Sequence, residues 1–347
     1  MDNIINIDNS GTIIITIKLL LHSYVNEEEI YKIMKYCYDN YPRLKIGNIK
    51  DHYVIYKNIS PDKIDDYLHL KKNISWYWLF LYLTNGKCVI IKKCDHKLMD
   101  GASIIFLFKN ISYISKKMYG SSKNIINYGD DHKYITNTRI YKSGIISDLK
   151  KFKTISKYYN GTINDLYITL LSKYISSYNA IMLIMHKLPD YNLGNNILPI
   201  PYRIPKYENI NIIFKKSKKI NKIIKYLFLN KIKIDDILSS FCKVIGYQFL
   251  IDKMTNIVKH LSKKKPLIFT SNLNLSSEYL IFANTYAEHI NVYTDYTYKN
   301  VNIIYILLIT YMNNIILNIS SNINDDIVPD IDIIRKNIDE IYNNIFE

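Results

Sequence analysis

Apolar runs and helical spacings of apolar residues alternate along the first part of the chain. Thr12–Leu21 is a β-rich apolar run, which predicts a strand. Asn26 followed by Glu29 has the spacing of a capping box, and apolar residues continue at helical intervals to Asp39. The residue before a proline avoids the α conformation, so Tyr41-Pro42 ends this predicted helix.

A short strand, a hairpin and a second helix follow. His52–Tyr56 predicts the short strand, and Tyr77–Thr84 and Lys87–Cys94 flank Asn85-Gly86, a pair typical of a two-residue hairpin turn. A helical segment runs from Ile104 to about Met118. The intervening segment begins with Asp95 and His96, so we expect this histidine to lie between the end of a strand and the start of a helix.

The remaining sequence begins with residues 119–145, which are rich in Ser, Asn, Gly and Asp with little periodicity and predict a crossover linker. A helix is then predicted from Asn164 to Tyr178, and residues 208–262 are Lys-rich and mainly helical. The predicted strands are Ala180–Met185, Leu267–Thr270, Ile303–Ile309 and Ile315–Ile319, followed by a closing helix with Pro329 at its start. We therefore expect two subdomains, residues 1–145 and 146–347.

Composition narrows the class of protein. With 347 residues and 48% apolar content, the chain can bury a large core, which argues against disorder. Its longest apolar runs are well short of the roughly 20 residues that a membrane-spanning helix needs, and the first residues do not resemble a signal peptide. The four cysteines form no CxxC pair, which favours buried thiols over a metal site or disulfides. We expect a cytoplasmic protein without a metal.

The net charge of +15 has two explanations. Almost all the basic residues are lysines, in a chain rich in Asn, Ile and Tyr, which is typical of an AT-rich genome that inflates surface lysine. The alternative is attraction for an anionic partner. The sequence contains no recognisable nucleic-acid-binding module, so we expect no nucleic-acid partner.

The segment around His96 combines residues suited to proton transfer. An imidazole has a pKa near neutrality, so it can remove a proton from an alcohol or amine. Asp100 can fix the loop by forming a salt bridge with a basic side chain, and Gly101 lets the backbone turn before the next helix. The alternative is an ordinary loop histidine, since the chain has eight histidines.

The segment Asp95–Gly101 resembles the His-His-x-x-x-Asp-Gly box of the wax ester synthase/diacylglycerol acyltransferase family. That family belongs to the chloramphenicol-acetyltransferase-like superfamily, together with condensation domains and plant acyltransferases. Other segments resemble the same family in the same order: Tyr41–Lys45, Trp76–Trp78, Gly161–Asp165, Leu193–Asn195, Ser271–Asn272 and Asp326–Asp330.

Four features depart from the family pattern. Asp95 replaces the first histidine of the pair, whereas His96 matches the catalytic second histidine. Leu273–Leu275 replaces the Pro-Gly-Pro that follows Ser-Asn, and only Trp78 remains of a Pro-Leu-Trp segment. The chain is also shorter than typical members.

The resemblance implies an α+β or α/β fold of two subdomains, each a mixed sheet with helices, and a channel between them. It also implies acyl transfer from acyl-CoA, as substrate and not bound cofactor, to diacylglycerol, a long-chain alcohol or a similar small alcohol. Contact with a membrane or lipid surface is a further expectation. The alternatives are N-acyl or condensation chemistry on this fold, or a silent binding protein.

The same resemblance suggests site residues. His96 is the implied general base, while Asn272 and Ser271 are candidate oxyanion donors. Asp100 and Gly101 complete the box, with Asp100 expected to act structurally. The candidate substrate contacts are Asp95, Trp78, Asn164, Asp165 and Ser271. The sequence favours a core position for Trp78 and a helix cap for Asp165 over a substrate contact. The lysines between Lys215 and Lys225 either attract coenzyme A phosphates or form a solvated helix face.

Overall fold

The structure is a computed structural model. It describes residues 13–70, 74–96, 98–99, 101–120, 132–135, 140–175, 178–185, 197–229, 266–296, 302–323 and 330–346. These residues form two mixed sheets with helices, as the sequence predicts, and divide into two compact units. The described strands and helices up to Tyr119, together with those between Ile281 and Tyr296, belong to the first unit, and the others belong to the second.

The sheet of the first unit has the strand order β10-β11-β1-β4-β3-β2 among the described residues. Its pairs are antiparallel except for β2 with β3, which is parallel. The strands are β1 Ile13–Leu21, β2 Tyr53–Ile59, β3 Trp76–Leu83, β4 Cys88–Asp95, β10 Ile281–Phe282 and β11 Thr285–Tyr296. The predicted hairpin forms between β3 and β4, and Gly86 in its turn has a φ of 85°, which suits glycine.

Two helices belong to this unit, α1 Glu27–Asn40 and α2 Gly101–Tyr119. The predicted capping box is present, since Asn26 accepts from the backbone of Glu29 and the Glu29 carboxylate accepts from the backbone of Asn26. Helix α2 contacts the hairpin formed by β10 and β11 through two serines. The hydroxyl oxygens of Ser112 and Ser115 accept hydrogen bonds from the backbone N–H groups of Ile281 and Ala283, each at 2.9 Å. A segment far along the sequence is thus tied into the first unit.

The sheet of the second unit has the order β5-β6-β13-β12-β9-β7-β8 among the described residues. Strand β9 pairs in parallel with β12 and β7, and the other pairs are antiparallel. The strands are β5 His132–Ile135, β6 Ile140–Asp148, β7 Asn179–Met185, β8 Ile197–Arg203, β9 Leu267–Ser276, β12 Ile303–Tyr311 and β13 Asn314–Ser321.

The helices described in this unit are α3 Leu149–Tyr158, α4 Ile163–Tyr174, α5 Ile210–Leu229 and α6 Ile331–Phe346. Apolar residues of α3, α4 and α6 form one buried cluster with β12 and β13. Tyr167 of α4 also donates a 2.8 Å hydrogen bond to the carbonyl of Ile306 on β12. The helices therefore cover one face of the sheet, and the predicted stripe of α6, Ile331, Ile334 and Ile338, is buried there.

Several predictions from the sequence need correction. The linker predicted over residues 119–145 is wrong for 132–135 and 140–145, which form β5 and part of β6. The helix predicted to Tyr178 ends at Tyr174. Strands β8 and β11 and helix α3 have no counterpart among the predicted elements. The predicted start of α6 at Pro329 and all of residues 230–262, with Cys242, lie outside the described residues.

The division into units differs from a single cut after residue 145. Strand β11 lies late in the sequence, yet it pairs along β1 from Ile13↔Tyr296 to Leu21↔Ala287. This pairing completes the first sheet with a strand that follows β9 of the second unit. None of the described helices is long and apolar enough to cross a membrane.

Candidate active site

His96 lies in the turn that follows β4. Its backbone N–H donates to the carbonyl of Ile13 at 2.8 Å, so the histidine extends the β1–β4 ladder by one position. The carbonyl of Asp95 accepts from the N–H groups of Leu98 at 2.9 Å and Met99 at 3.3 Å, which closes the chain into a tight turn. The imidazole is half-buried. The predicted general base is thus held by backbone hydrogen bonds at the end of β4, a central strand of the sheet.

A fully buried lysine lies beneath this turn. Lys92 of β4 has its ammonium nitrogen 4.0 Å from the sulfur of Met99 and 5.9 Å from the ring centroid of Trp78. Burial lowers the pKa of Lys92, and it raises the pKa of the nearby Cys37 and Cys94 thiols to about 12. Met99, itself 0% exposed, anchors the turn into this core.

Two polar residues predicted for the site meet in the second unit. The amide nitrogen of Asn272, on β9, donates to the side-chain oxygen of Asn164 at 2.5 Å. Asn164 lies in the first turn of α4, and β9 runs parallel to β12, which is buried in the sheet. Both amides are therefore held by regular structure.

Asp165 lies in the first turn of the same helix and closes a capping box with Thr162. Its carboxylate accepts from the backbone and hydroxyl of Thr162 at 2.7 and 2.8 Å, and from the amide of Asn221 at 2.7 Å. Asp165 is 3% exposed. The contacts support the capping role and add a link between α4 and α5.

A cavity of about 840 Å³ in the second unit lies against these residues. It is bounded by α3, by the start of α4, by α5 and by Asn272 of β9. Its polar lining combines amides with lysines: Lys153, Lys157, Asn164, Lys218, Asn221, Lys222, Lys225 and Asn272. The volume lies in the range usual for small-molecule pockets.

Gly161 allows two walls of the cavity, α5 and the start of α4, to lie close together. A Cβ built on this residue would lie 2.2 Å from a ring carbon of Phe214, which is buried on α5. A ring at that distance cannot accommodate a side chain without moving. The absence of a side chain at Gly161 therefore lets α5 pack against the start of α4.

The other predicted residues have diverse positions. Trp78 is fully buried and packs against Phe80, Phe108 and Phe282, as expected for a core residue. Asp95 and Ser271 are half-buried, and Gly101 begins α2. Asp100 lies outside the described residues. The substrate and catalytic roles suggested for these residues stay predictions.

No protein-family model matches the sequence, and no curated protein matches it either. Solved structures do match. The wax ester synthase/diacylglycerol acyltransferase from Marinobacter aquaeolei VT8 matches with a TM-score of 0.53 at 10% identity, over 96% of this chain and 94% of that one. The condensation domain of the Monacolin K polyketide synthase MokA matches with a TM-score of 0.54 at 8% identity, over 96% and 91%.

The first condensation domain of the CDA synthetase matches with a TM-score of 0.59 at 7% identity, over 95% of this chain and 90% of that one. The chain has the fold of these proteins. At such identities the likeness concerns the fold alone. It agrees with the two mixed sheets and with the fold that the motif segments imply.

Some features of these sites were missed by the interpretation of the sequence. Lys92 stands in the apolar strand Cys88–Asp95 and resembles an ordinary outward-facing polar residue. The two lysines of α3 belong to a helix absent from the predicted elements; its signals are Asp148 as N-cap and the helical spacing of Phe152 and Ile155. Across the described residues, His, Cys, Asp and Glu form no group of three that could hold a metal ion.

Proposed function

We propose that the protein is an acyltransferase that moves an acyl group from acyl-CoA to an alcohol, with His96 as the general base. The observation that carries the proposal is the position of His96 in a tight turn after β4, with α2 beginning at Gly101, on a fold shared with acyl-transferring and condensation proteins. A rigid turn suits a base that must meet an acceptor in a fixed geometry.

The proposed reaction needs no covalent enzyme intermediate. His96 takes the proton of the acceptor hydroxyl as its oxygen attacks the carbonyl carbon of the thioester. The tetrahedral oxyanion collapses, the carbon–sulfur bond breaks, and the imidazolium returns the proton to the leaving thiolate. Asn272 is the proposed donor to the oxyanion; such a donor contributes about 3 kcal/mol to the transition state.

The proposed substrates are a long-chain or small alcohol and an acyl-CoA, in the cytoplasm or at a lipid surface. A second candidate is N-acyl transfer or condensation with a carrier-bound thioester, which the two condensation-domain likenesses support equally. In that reaction the same base would serve an amine acceptor.

The test is thiol release from a panel of acyl-CoAs, with diacylglycerol, long-chain alcohols and simple amines as acceptors. The variants are wild type, His96→Ala and the control His22→Ala, since His22 is a surface histidine of the same unit that pairs with Glu288 at 2.7 Å. We expect acceptor-dependent release that falls about 100-fold in His96→Ala and is unchanged in His22→Ala.

Release with amines or carrier-bound donors alone would favour the condensation reaction. Full activity of His96→Ala would contradict its role as base. An inactive wild type across all donors and acceptors would contradict the enzyme assignment and favour a silent binding protein.

A further inference from the structure

Two helices direct lysines into the cavity of the second unit. Lys153 and Lys157 are one helical turn apart on α3, and Lys218, Lys222 and Lys225 follow one face of α5 at helical spacing. These five lysines line the cavity with one carboxylate, that of Asp165. Five ammonium groups are thus gathered at one concave site.

The cavity lysines differ from their neighbours on the same helices. Lys151 of α3 pairs with Asp339 at 2.8 Å, and Lys216 of α5 pairs with Glu208 at 2.8 Å. Lys218 donates to the carbonyl of Asn160 at 2.6 Å. Within the described ranges, no carboxylate lies at ion-pair distance from the remaining cavity lysines: Lys153, Lys157, Lys222 and Lys225.

The carboxylate of Asp165 offsets only one of these five positive charges. Both its oxygens are engaged, one by Asn221 and the other by the backbone and hydroxyl of Thr162. The positive end of the α4 dipole points to the same cavity, because Gly161–Asp165 line it. Ammonium groups that converge on one space repel each other, and an anion in that space offsets the repulsion.

We propose that this lysine cavity binds adjacent phosphate groups, as in the pyrophosphate of a nucleotide-bearing thioester donor; the identity of the donor rests on the proposed acyl transfer. Five ammonium groups on two facing helices suit more than one phosphate. The cavity volume of about 840 Å³ also exceeds what a single phosphate fills. Asn272 lines the same cavity, so a ligand held by the lysines lies next to the proposed oxyanion donor.

The experiment is calorimetric titration of the full chain with coenzyme A, ADP, inorganic pyrophosphate and pantetheine, which carries no phosphate. One variant is Lys222→Ala/Lys225→Ala and another is Lys153→Ala/Lys157→Ala. The matched control is Lys215→Ala/Lys219→Ala, because both lysines are exposed on α5 and neither lines the cavity. The control removes the same charge from the same helix.

We expect each cavity variant to bind coenzyme A and pyrophosphate at least about tenfold more weakly, as loss of a charge-assisted contact requires. The control should bind as wild type does, and pantetheine should show no lysine dependence. Tighter binding of coenzyme A than of ADP or pyrophosphate would identify the thioester donor as the source of the phosphates. Equal binding of all three would identify a free polyphosphate or nucleotide.

Two results would overturn the proposal. One is undetectable binding of all the phosphate ligands by folded wild type; the other is equal weakening by the control and cavity variants, which would indicate diffuse charge. Thermal unfolding monitored by circular dichroism establishes that each variant is folded. Lysine-dependent binding without acyl transfer would contradict the enzyme assignment alone, whereas His96-dependent transfer with unchanged binding in the cavity variants would contradict the phosphate site alone.

Discussion

The side-chain amide of Asn272 on β9 donates a 2.5 Å hydrogen bond to the side-chain oxygen of Asn164 on α4. The two residues are far apart in sequence, and each comes from a segment that resembles the same acyltransferase family. Their hydrogen bond orients the Asn272 amide, since only one of its two N–H groups is needed for Asn164. For the proposed acyl transfer we therefore predict a positioning role for Asn164.

We expect Asn272→Ala to lower the rate of acyl transfer about 100-fold, because it removes the proposed oxyanion donor. Asn164→Ala should lower it less, since it removes only the orientation of that amide. The rates of the two single variants and of the double variant measure the energetic coupling between Asn164 and Asn272. Strict additivity would contradict a positioning role for Asn164, and unchanged rates in Asn272→Ala would contradict the oxyanion role.

Gly161→Ala should destabilise the second unit by about 1–3 kcal/mol, because the new methyl group meets the ring of Phe214. Chemical denaturation of both proteins measures the change. Gly161→Ala combined with Phe214→Leu should recover part of the loss, since the smaller side chain makes room. A Gly161→Ala variant as stable as wild type would show that α5 moves away at no cost.

Lys92→Met should raise the free energy of unfolding by about 2 kcal/mol at neutral pH, because it removes an amine buried without a strong acceptor in the described core. Met99, Trp78 and Phe108 face this amine, and the Cys37 and Cys94 thiols are uncharged at neutral pH because burial raises their pKa to about 12.

The same substitution should change the dependence of stability on pH. Burial lowers the pKa of Lys92 below its usual 10.5, so between the two values the unfolded chain binds more protons than the folded one. Stability therefore falls as the pH falls through this window, and Lys92→Met should remove that contribution. Parallel pH profiles of the two proteins up to pH 10 would contradict the lowered pKa.

We expect each of two substitutions, Ser112→Ala and Ser115→Ala, to lower the free energy of unfolding by about 1–3 kcal/mol. Each leaves the backbone N–H of Ile281 or Ala283 without its buried acceptor. Hydrogen exchange at Ile281 and Ala283 should accelerate in the matching variant. The β3–β4 amides serve as an internal control and should stay protected. Unchanged exchange at both positions would indicate that the β10–β11 hairpin is not stabilised by its contacts with α2.

Local sequence patterns determined much of the secondary structure. The capping residues of α1, the Asn85-Gly86 turn and the apolar runs of β1, β12 and β13 act over a few residues, so their signals survive in the sequence. The ordered series of short motifs likewise implied the fold, and it pointed to His96, Asn164 and Asn272. The role of His96 as base stays a prediction.

Tertiary structure alone decided which distant segments meet. Strand β11 contains Glu288, His289 and Asn291, which interrupt an apolar pattern, and pairing with β1 stabilises it as a strand. Taken one helix at a time, the lysines of α3 and α5 form ordinary solvated faces. They converge on one cavity only because the helices pack closely, which Gly161 permits. Burial of Lys92 is also invisible in the sequence, because the covering residues of α1 and α2 come from other segments. Periodicity reports the local conformation of a chain, whereas these contacts depend on how its elements pack.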